Sequence, residues 1–458
     1  MSIITDEDVY LFACCPTKYY NTLNFAASCD SESLYISHIK SLSDETRRRI
    51  SERISPIQVS KEQKTRGIDT NKFMKKGEQN ISGGLLFNNE YSAEPFILER
   101  VNKSSKLGKH SYQIIDFLPS IQLLEEHKKK LAFQSYLLYF YLGFMPTTCK
   151  LINIKQEVIE FNPVNEFEGV RKIINEIKKL EYTKTIPSAY INQHCKICRW
   201  KDKCLNECIK KKDLSLLFGI SNVTRRILIE SKINNINDMA NLDNNQIELM
   251  KDKGVRNVPF LIKQAYSYIT KTPERIMYPN FPTRYPALYF DIEGQIDLNF
   301  QYLFGVYNEE TIEYLPFWAD EITNEKDAFF AFLKYLSKIK KYTLFHYGSY
   351  EKTAIRDLCF KYNISKKIEQ SVLNSMVDIY SALKKCAAIP VPSYSLKDIA
   401  QFLGYIWHDK EALGANSIIW HNQWMKTNNL QCKERLKTYN KNDCEATAFV
   451  KNWLEESV

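Results

Sequence analysis

The chain has no long apolar run, no internal repeat and no low-complexity tract. Its longest apolar segment, Leu131 to Met145, is broken by Gln134 and Ser135 and falls short of the roughly 20 residues a membrane-crossing helix needs. It reads as a buried helix, and no membrane association is expected. The N-terminus, Met1-Ser-Ile-Ile-Thr-Asp-Glu-Asp8, is acidic where a secretory leader is basic. The cytoplasm is therefore the expected location. In that reducing compartment twelve cysteines argue against a disulfide framework and for metal ligation by some of them.

What is present is the composition of a folded protein. Hydrophobic residues make up 44% and charged residues 26% of 458 positions, enough for about three domains with cores of their own. Lys and Arg number 63 against 54 Asp and Glu, and the resulting +9 suits a polyanionic partner without establishing one.

Asp291-Ile-Glu293 ends the apolar run Pro286-Ala-Leu-Tyr-Phe290. Side chains two apart on a strand share a face, so both carboxylates can address one divalent cation. Far along the chain, Tyr439-Asn-Lys-Asn-Asp443 offers a tyrosine and an aspartate four apart, which share a face of a helix. Carboxylates holding two Mg²⁺ or Mn²⁺ ions, with a tyrosine positioning the attacking water, is the chemistry of 3′-to-5′ phosphodiester cleavage. The fourth acid is expected at Glu351, where the strand-like Tyr342-Thr-Leu-Phe345 hands over to a helix; Asp378 in Met376-Val-Asp-Ile-Tyr380 competes for that role.

Cys195-Lys-Ile-Cys198-Arg-Trp-Lys-Asp-Lys-Cys204 is a C-x2-C-x5-C group. With a fourth thiolate it can hold zinc or a [4Fe-4S] cluster, and its spacing favours the cluster over the paired C-x2-C knuckles of structural zinc. Cys15, in Cys15-Pro-Thr-Lys-Tyr-Tyr20, is the preferred fourth ligand, with Cys14 or Cys208 as alternatives. Cys29, Cys149, Cys359, Cys386, Cys432 and Cys444 are scattered and read as small core residues.

These cysteines bracket residues 1–208 as one block. Residues 209–272 read as short helices joined by Gly-containing turns, and 273–285 as a proline-rich extended linker. From 286 to 458 strand-like runs precede helical ones, an α/β pattern.

Phe290-Asp-Ile-Glu293, Phe345-His-Tyr-Gly-Ser-Tyr-Glu351-Lys, Val377-Asp-Ile-Tyr380, Ser393-Tyr-Ser-Leu-Lys397 and Tyr439-Asn-Lys-Asn-Asp-Cys-Glu-Ala-Thr447 make residues 286–458 resemble RNase H-like exonuclease domains of the DEDD type, in their tyrosine-containing subgroup. The whole chain is similar to bacterial RecB-like nucleases that fuse an iron–sulfur PD-(D/E)XK domain, a helix-hairpin-helix region and such an exonuclease domain. The resemblance implies an α/β fold with a PD-(D/E)XK-like N-terminal domain, a small helical middle and an RNase H-like C-terminal domain. It implies that the cluster ties the two ends of the first domain together. One departure is Glu351, which stands where the family usually has Asp.

A PD-(D/E)XK site needs an acid, then an acid and a lysine one residue apart on the next strand. In the matching stretches Phe96 stands at the first acid and Leu118 at the lysine, leaving Asp116 alone. The N-terminal fold is thus expected to be inactive and to bind nucleic acid, DNA or RNA. Lys103, Lys106, Lys109, Lys128, Lys129 and Lys130 are candidates for that binding, although such runs are more often solvated faces. Gly219-Ile-Ser-Asn222 and Gly254-Val-Arg-Asn257 fit loosely the hairpin turns that present backbone amides to a phosphate. The expected function is a metal-dependent nuclease with catalysis in the C-terminal domain. The alternative is a binding or scaffold protein in which both nuclease folds are inactive.

Overall fold

A computed structural model describes residues 3–25, 34–60, 62, 65–120, 123–282, 285–295, 298–407 and 414–456. The chain divides into two compact units, 1–189 with 193–203, and 190–192 with 204–458. Cys29 lies outside the described residues. Among the described residues no helix is long and apolar enough to cross a membrane.

The first unit is built on a six-stranded mixed sheet. Its order is Ile57–Gln58, Asn80–Ser82, Ile97–Val101, Ser111–Leu118, Cys149–Asn153 and Val158–Phe161. The two middle pairings differ in sense: Ser111–Leu118 runs antiparallel to Ile97–Val101 and parallel to Cys149–Asn153. Alternation sorts the side chains of Ser111–Leu118, with Tyr112, Ile114 and Leu118 in one apolar cluster and Ile115 and Phe117 in another. Asp116 shares the parity of the first set. The crossover to Cys149–Asn153 is the helix Glu125–Leu142, which packs Leu131, Phe133, Leu137 and Leu138 into that cluster and ends on Gly143 at φ 80°. Gln134 and Ser135, the two polar residues of the apolar segment, are fully buried within it. The helix Asp6–Cys14 begins at a capping box in which Thr5 and Asp8 exchange hydrogen bonds of 2.9 and 3.0 Å.

In the second unit, residues 213–270 form short helices around Leu228, Ile236, Met239, Met250, Val258 and Leu261, with a buried ion pair of 2.6 Å between Arg225 and Asp213. Gly219 and Gly254 both take positive φ, as turns ahead of a helix require. The proline-rich stretch after them includes a short strand, Glu274–Arg275, paired with Ala387–Ala388.

The rest of the second unit is a five-stranded sheet in the order Glu313–Trp318, Phe300–Asn308, Ala287–Gln295, Thr343–His346, Met376–Asp378. The first three strands are antiparallel neighbours and the last two join in parallel. Along Ala287–Gln295 the side chains Leu288, Phe290 and Ile292 point into one core with Phe304, Phe329 and Phe332. Tyr289 points the other way, into a core completed by Ala446, Val450 and Leu454 of the C-terminal helix Leu430–Glu456. Cys149, Cys359, Cys386, Cys432 and Cys444 are buried, as small core cysteines should be.

Candidate active site

Because Tyr289, Asp291 and Glu293 alternate with Leu288, Phe290 and Ile292, both acids emerge on the sheet face over which the C-terminal helix lies. The ladder shifts register between Glu293 and Gly294, so the run of paired acids ends at an irregularity of the strand. Across the antiparallel ladder Asp291 faces Gly305. A Cβ on Gly305 would come within 1.6 Å of Asn440 Oδ1, so a side chain there would displace the Asn440 amide from its place.

Asp443 sits on that helix, one turn beyond Tyr439. One carboxylate oxygen from each of Asp291, Glu293 and Asp443 lies within 4.8 Å of the others. The three acids named from sequence are thus brought together across some 150 residues of chain. The Tyr439 hydroxyl donates a hydrogen bond to Asp443.

Glu351 and Asp378, the two candidates for a fourth acid, differ in their surroundings. Glu351 is buried at the start of the helix Tyr350–Lys361 and adds its repulsion to Asp291, Glu293 and Asp443 alike. One of its oxygens lies 3.4 Å from His346 Nδ1. Asp378 is occupied elsewhere, accepting from the Gly348 amide at 2.9 Å and from the Ser381 hydroxyl at 2.5 Å.

Desolvation and mutual repulsion hold Asp291, Glu293 and Asp443 above the usual carboxylate range. Desolvation followed by Glu293, Asp443 and Glu351 raises Asp291. Desolvation, then the nearby Asp443, pushes Glu293 up to about 8. Asp443 is pushed up to about 6 by desolvation, against the hydrogen bonds from Trp407 and Tyr439 and the attraction of Lys397. Such a set carries more negative charge than the protein neutralises, and all-oxygen donors suit Mg²⁺ or Mn²⁺. The residues present therefore fit a divalent cation.

Several supporting residues were not named from sequence. Asn440 Nδ2 donates to Asp291 Oδ2 at 2.6 Å and to its carbonyl at 3.2 Å, while Asn440 Oδ1 accepts from the Tyr314 hydroxyl at 2.8 Å. Trp407 Nε1 donates to Asp443 Oδ1 at 3.2 Å. The Ser417 and Tyr302 hydroxyls flank Glu293. Asn440 alone had a local signal, as the residue next to Tyr439 in the motif. The others arrive from strands and helices with no sequence relation to the acids.

In the first unit, Asp116 lies beside Asp6, a partner not anticipated from sequence. Gln134 Nε2 donates to Asp6 Oδ2 at 2.7 Å and to Asp116 Oδ2 at 3.1 Å, and Lys130 Nζ stands 3.8 and 3.7 Å from the same two oxygens. Phe96 precedes the strand Ile97–Val101 and Leu118 is fully buried, so neither supplies a metal ligand. Glu94 pairs with Arg66 at 3.0 Å and Glu99 with Lys150 at 2.8 Å. The lysine run is largely committed inside the unit: Lys128 pairs with Glu125 at 2.6 Å, Lys129 with Glu166, and Lys130 with Asp6 and Asp116. Lys103 stacks on Phe144 at 4.1 Å.

Cys15, Cys195 and Cys198 belong to the first unit and Cys204 to the second. Cys15 feels the charge of Cys198, whereas Cys14 feels that of Glu126, so the two adjacent thiols have different surroundings. Cys208 is buried near Asp213 and Ser215, within the second unit.

Residues 288–455 match the family model RNase_H_2, of the RNase H superfamily. A search of curated proteins gave no match. The C-terminal part of this mixed α/β chain is therefore an RNase H-like domain, a type typical of metal-dependent nucleases, and a nuclease-type activity on nucleic acid is what that type suggests.

Proposed function

We propose that this protein is a metal-dependent 3′-to-5′ exonuclease acting on DNA or RNA, with its active centre in the RNase H-like domain. The observation that carries the reading is the convergence of Asp291, Glu293 and Asp443, all half-buried, with Tyr439 bonded to one of them. Asp291, Glu293, Glu351 and Asp443 would hold the ions. When bound, divalent ions activate a water and stabilise the charge that develops on the phosphate. Tyr439 sits where its hydroxyl can orient that water, and Asp443 fixes the hydroxyl through their hydrogen bond. Asn440, clamped between Tyr314 and Asp291, holds the first carboxylate in one rotamer. The extra methylene of Glu351 relative to Asp is accommodated by burial against His346.

In the same reading the first unit is a PD-(D/E)XK-like fold without catalysis that grips nucleic acid. Its antiparallel pair followed by a helical crossover to a parallel strand supports that assignment. Cys15, Cys195, Cys198 and Cys204 would hold a [4Fe-4S] cluster, for which the proximity of Cys15 to Cys198 speaks. The turns at Gly219 and Gly254 would serve as phosphate-binding hairpins.

The test is degradation of end-labelled DNA and RNA by the purified chain with Mg²⁺ or Mn²⁺, beside Asp291→Asn. Shortening from the 3′ end by the wild type alone is expected. A chain that binds these substrates and cleaves none of them would instead be the scaffold protein.

A further inference from the structure

We infer that Cys14, Glu126 and His194 form a second metal centre, within the first unit, that binds one zinc ion. These residues come from three separate elements. Cys14 is the last residue of the helix Asp6–Cys14, Glu126 the second residue of Glu125–Leu142, and His194 lies in the turn Gln193–Ile197. One donor atom from each lies within 4.8 Å of the others. The His194 Nδ1 to Glu126 Oε1 distance is 3.8 Å, too long for a hydrogen bond and close to the roughly 3.4 to 3.8 Å between donors of a tetrahedral zinc site.

The chemistry of the donors selects the ion. A thiolate, an imidazole and a carboxylate are the three ligand types zinc takes, whereas magnesium and calcium call for oxygen throughout. Thiolate and carboxylate together balance the charge of a divalent ion. Cys14 and Glu126 are both buried, and the nearest ammonium acting on Cys14 and His194 is that of Lys18. A second observation points the same way. The next residue, His127, is 92% buried with an unpartnered Nδ1, and it lies within electrostatic reach of both Glu126 and His194. The side chain of His194 is about one-fifth exposed, which leaves a path for a water as fourth ligand.

The site is distinct from the proposed iron–sulfur ligands, although adjacent to them in sequence. Cys14 ends the helix and Cys15 is extended at φ −172°, so consecutive thiols part toward Glu126 and toward Cys198. An ion here would join the end of the first helix to the start of the crossover helix and to the turn that leads into Cys195. Its role is that of a staple.

The test uses the full chain carrying Asp291→Asn, which silences the carboxylate site, with Co²⁺ as a spectroscopic substitute for zinc. About one equivalent of Co²⁺ should bind with a thiolate-to-cobalt charge-transfer band and tetrahedral d–d absorption. Cys14→Ser should abolish the charge-transfer band, and His194→Asn should weaken binding more than tenfold, while the iron content and brown colour of anaerobically purified protein persist. Glu126→Gln, which keeps shape and removes only the charge, should weaken Co²⁺ binding with an unchanged circular dichroism melt in chelator. A band that survives Cys14→Ser, or is lost with Cys198→Ser and not with Cys14→Ser, overturns the proposal. So does a chain that takes up no cobalt.

Discussion

Asp116 in the first unit and Asp291 in the second are both set on a strand of a mixed sheet, each beside another acid and each held by a side-chain amide. Their surroundings treat the charge in opposite ways. Gln134 bridges Asp116 and Asp6, and Lys130 stands within 3.8 Å of both, so a cation is supplied by the chain itself. Asn440 holds Asp291 in the same manner, yet Glu293, Asp443 and Glu351 around it are all acids. In the first unit a lysine occupies the electrostatic place that in the second, on the proposed reading, would belong to a metal ion. Carboxylates that converge without a matching cation are the mark of a metal site, and convergence alone is not.

The sharpest way to break that contrast is to remove one acid from each unit. Asp291→Asn should reduce cleavage by more than about 100-fold, since a ligand matters at least as much as the outer-shell groups whose loss costs 10- to 100-fold. Asp116→Asn should leave the rate nearly unchanged. Initial rates on end-labelled substrate decide it, and a reversed pattern would assign the chemistry to the first unit.

The second test addresses the internal cation. Lys130→Met leaves Asp6 and Asp116 buried without their counter-charge, a change that costs about 3 to 5 kcal/mol. Urea unfolding of the first unit should show it, and adding Asp6→Asn to Lys130→Met should recover much of the loss. If Lys130→Met is neutral, the ion pairs there are not what balances the acids.

A third test uses pH. Glu293 near 8 and Asp443 near 6 are raised above their unfolded values, so the metal-free fold binds protons that the unfolded chain has released. The associated stability is full below about pH 4 and is lost progressively as pH rises, to about 6 for Asp443 and about 8 for Glu293. Mg²⁺ or Mn²⁺ replaces those protons, and at a hundredfold excess over its Kd should stabilise the protein by about 2.7 kcal/mol at pH near 8. The stabilisation should shrink toward pH 5, where protons compete. Calorimetric melts with and without metal at the two pH values would show it, and a metal effect that grows on acidification would contradict the assignment.

How much of this was legible in the sequence follows from the range of the interactions. Asp291 with Glu293, and Tyr439 with Asp443, are local patterns, because strand and helix periods decide which side chains share a face. Pairing the two sets depends on a helix that closes over the sheet, and that was reached only through the order of motifs along the chain. Asp6 beside Asp116, and Trp407 beside Asp443, are long-range partners with no local trace. Gly305 gave no local sign of its role either, since what makes it necessary is Asn440 lying against it. The run Lys128 to Lys130 has the same limit: three adjacent charges fit either a surface for a polyanion or a helix face, and the acid each one meets within its own unit lies far along the chain for two of the three.

The smallest expected effect tests the part of the contrast that involves no charge. Tyr439 is half-buried, and its hydroxyl ends on Asp443 while its ring packs near Trp420 with centroids 6.4 Å apart. Tyr439→Phe keeps the ring and removes only the oxygen, so neither the carboxylates nor the packing should change. What is lost is one donor to Asp443 and one group able to orient the water, a loss of about tenfold in kcat at the low end of outer-shell effects. KM and the Kd for Mn²⁺ should move far less, because the ligands remain. If Tyr439→Phe instead abolishes cleavage together with metal binding, the hydroxyl is holding Asp443 in place for the ion, and its role is structural support of the metal site.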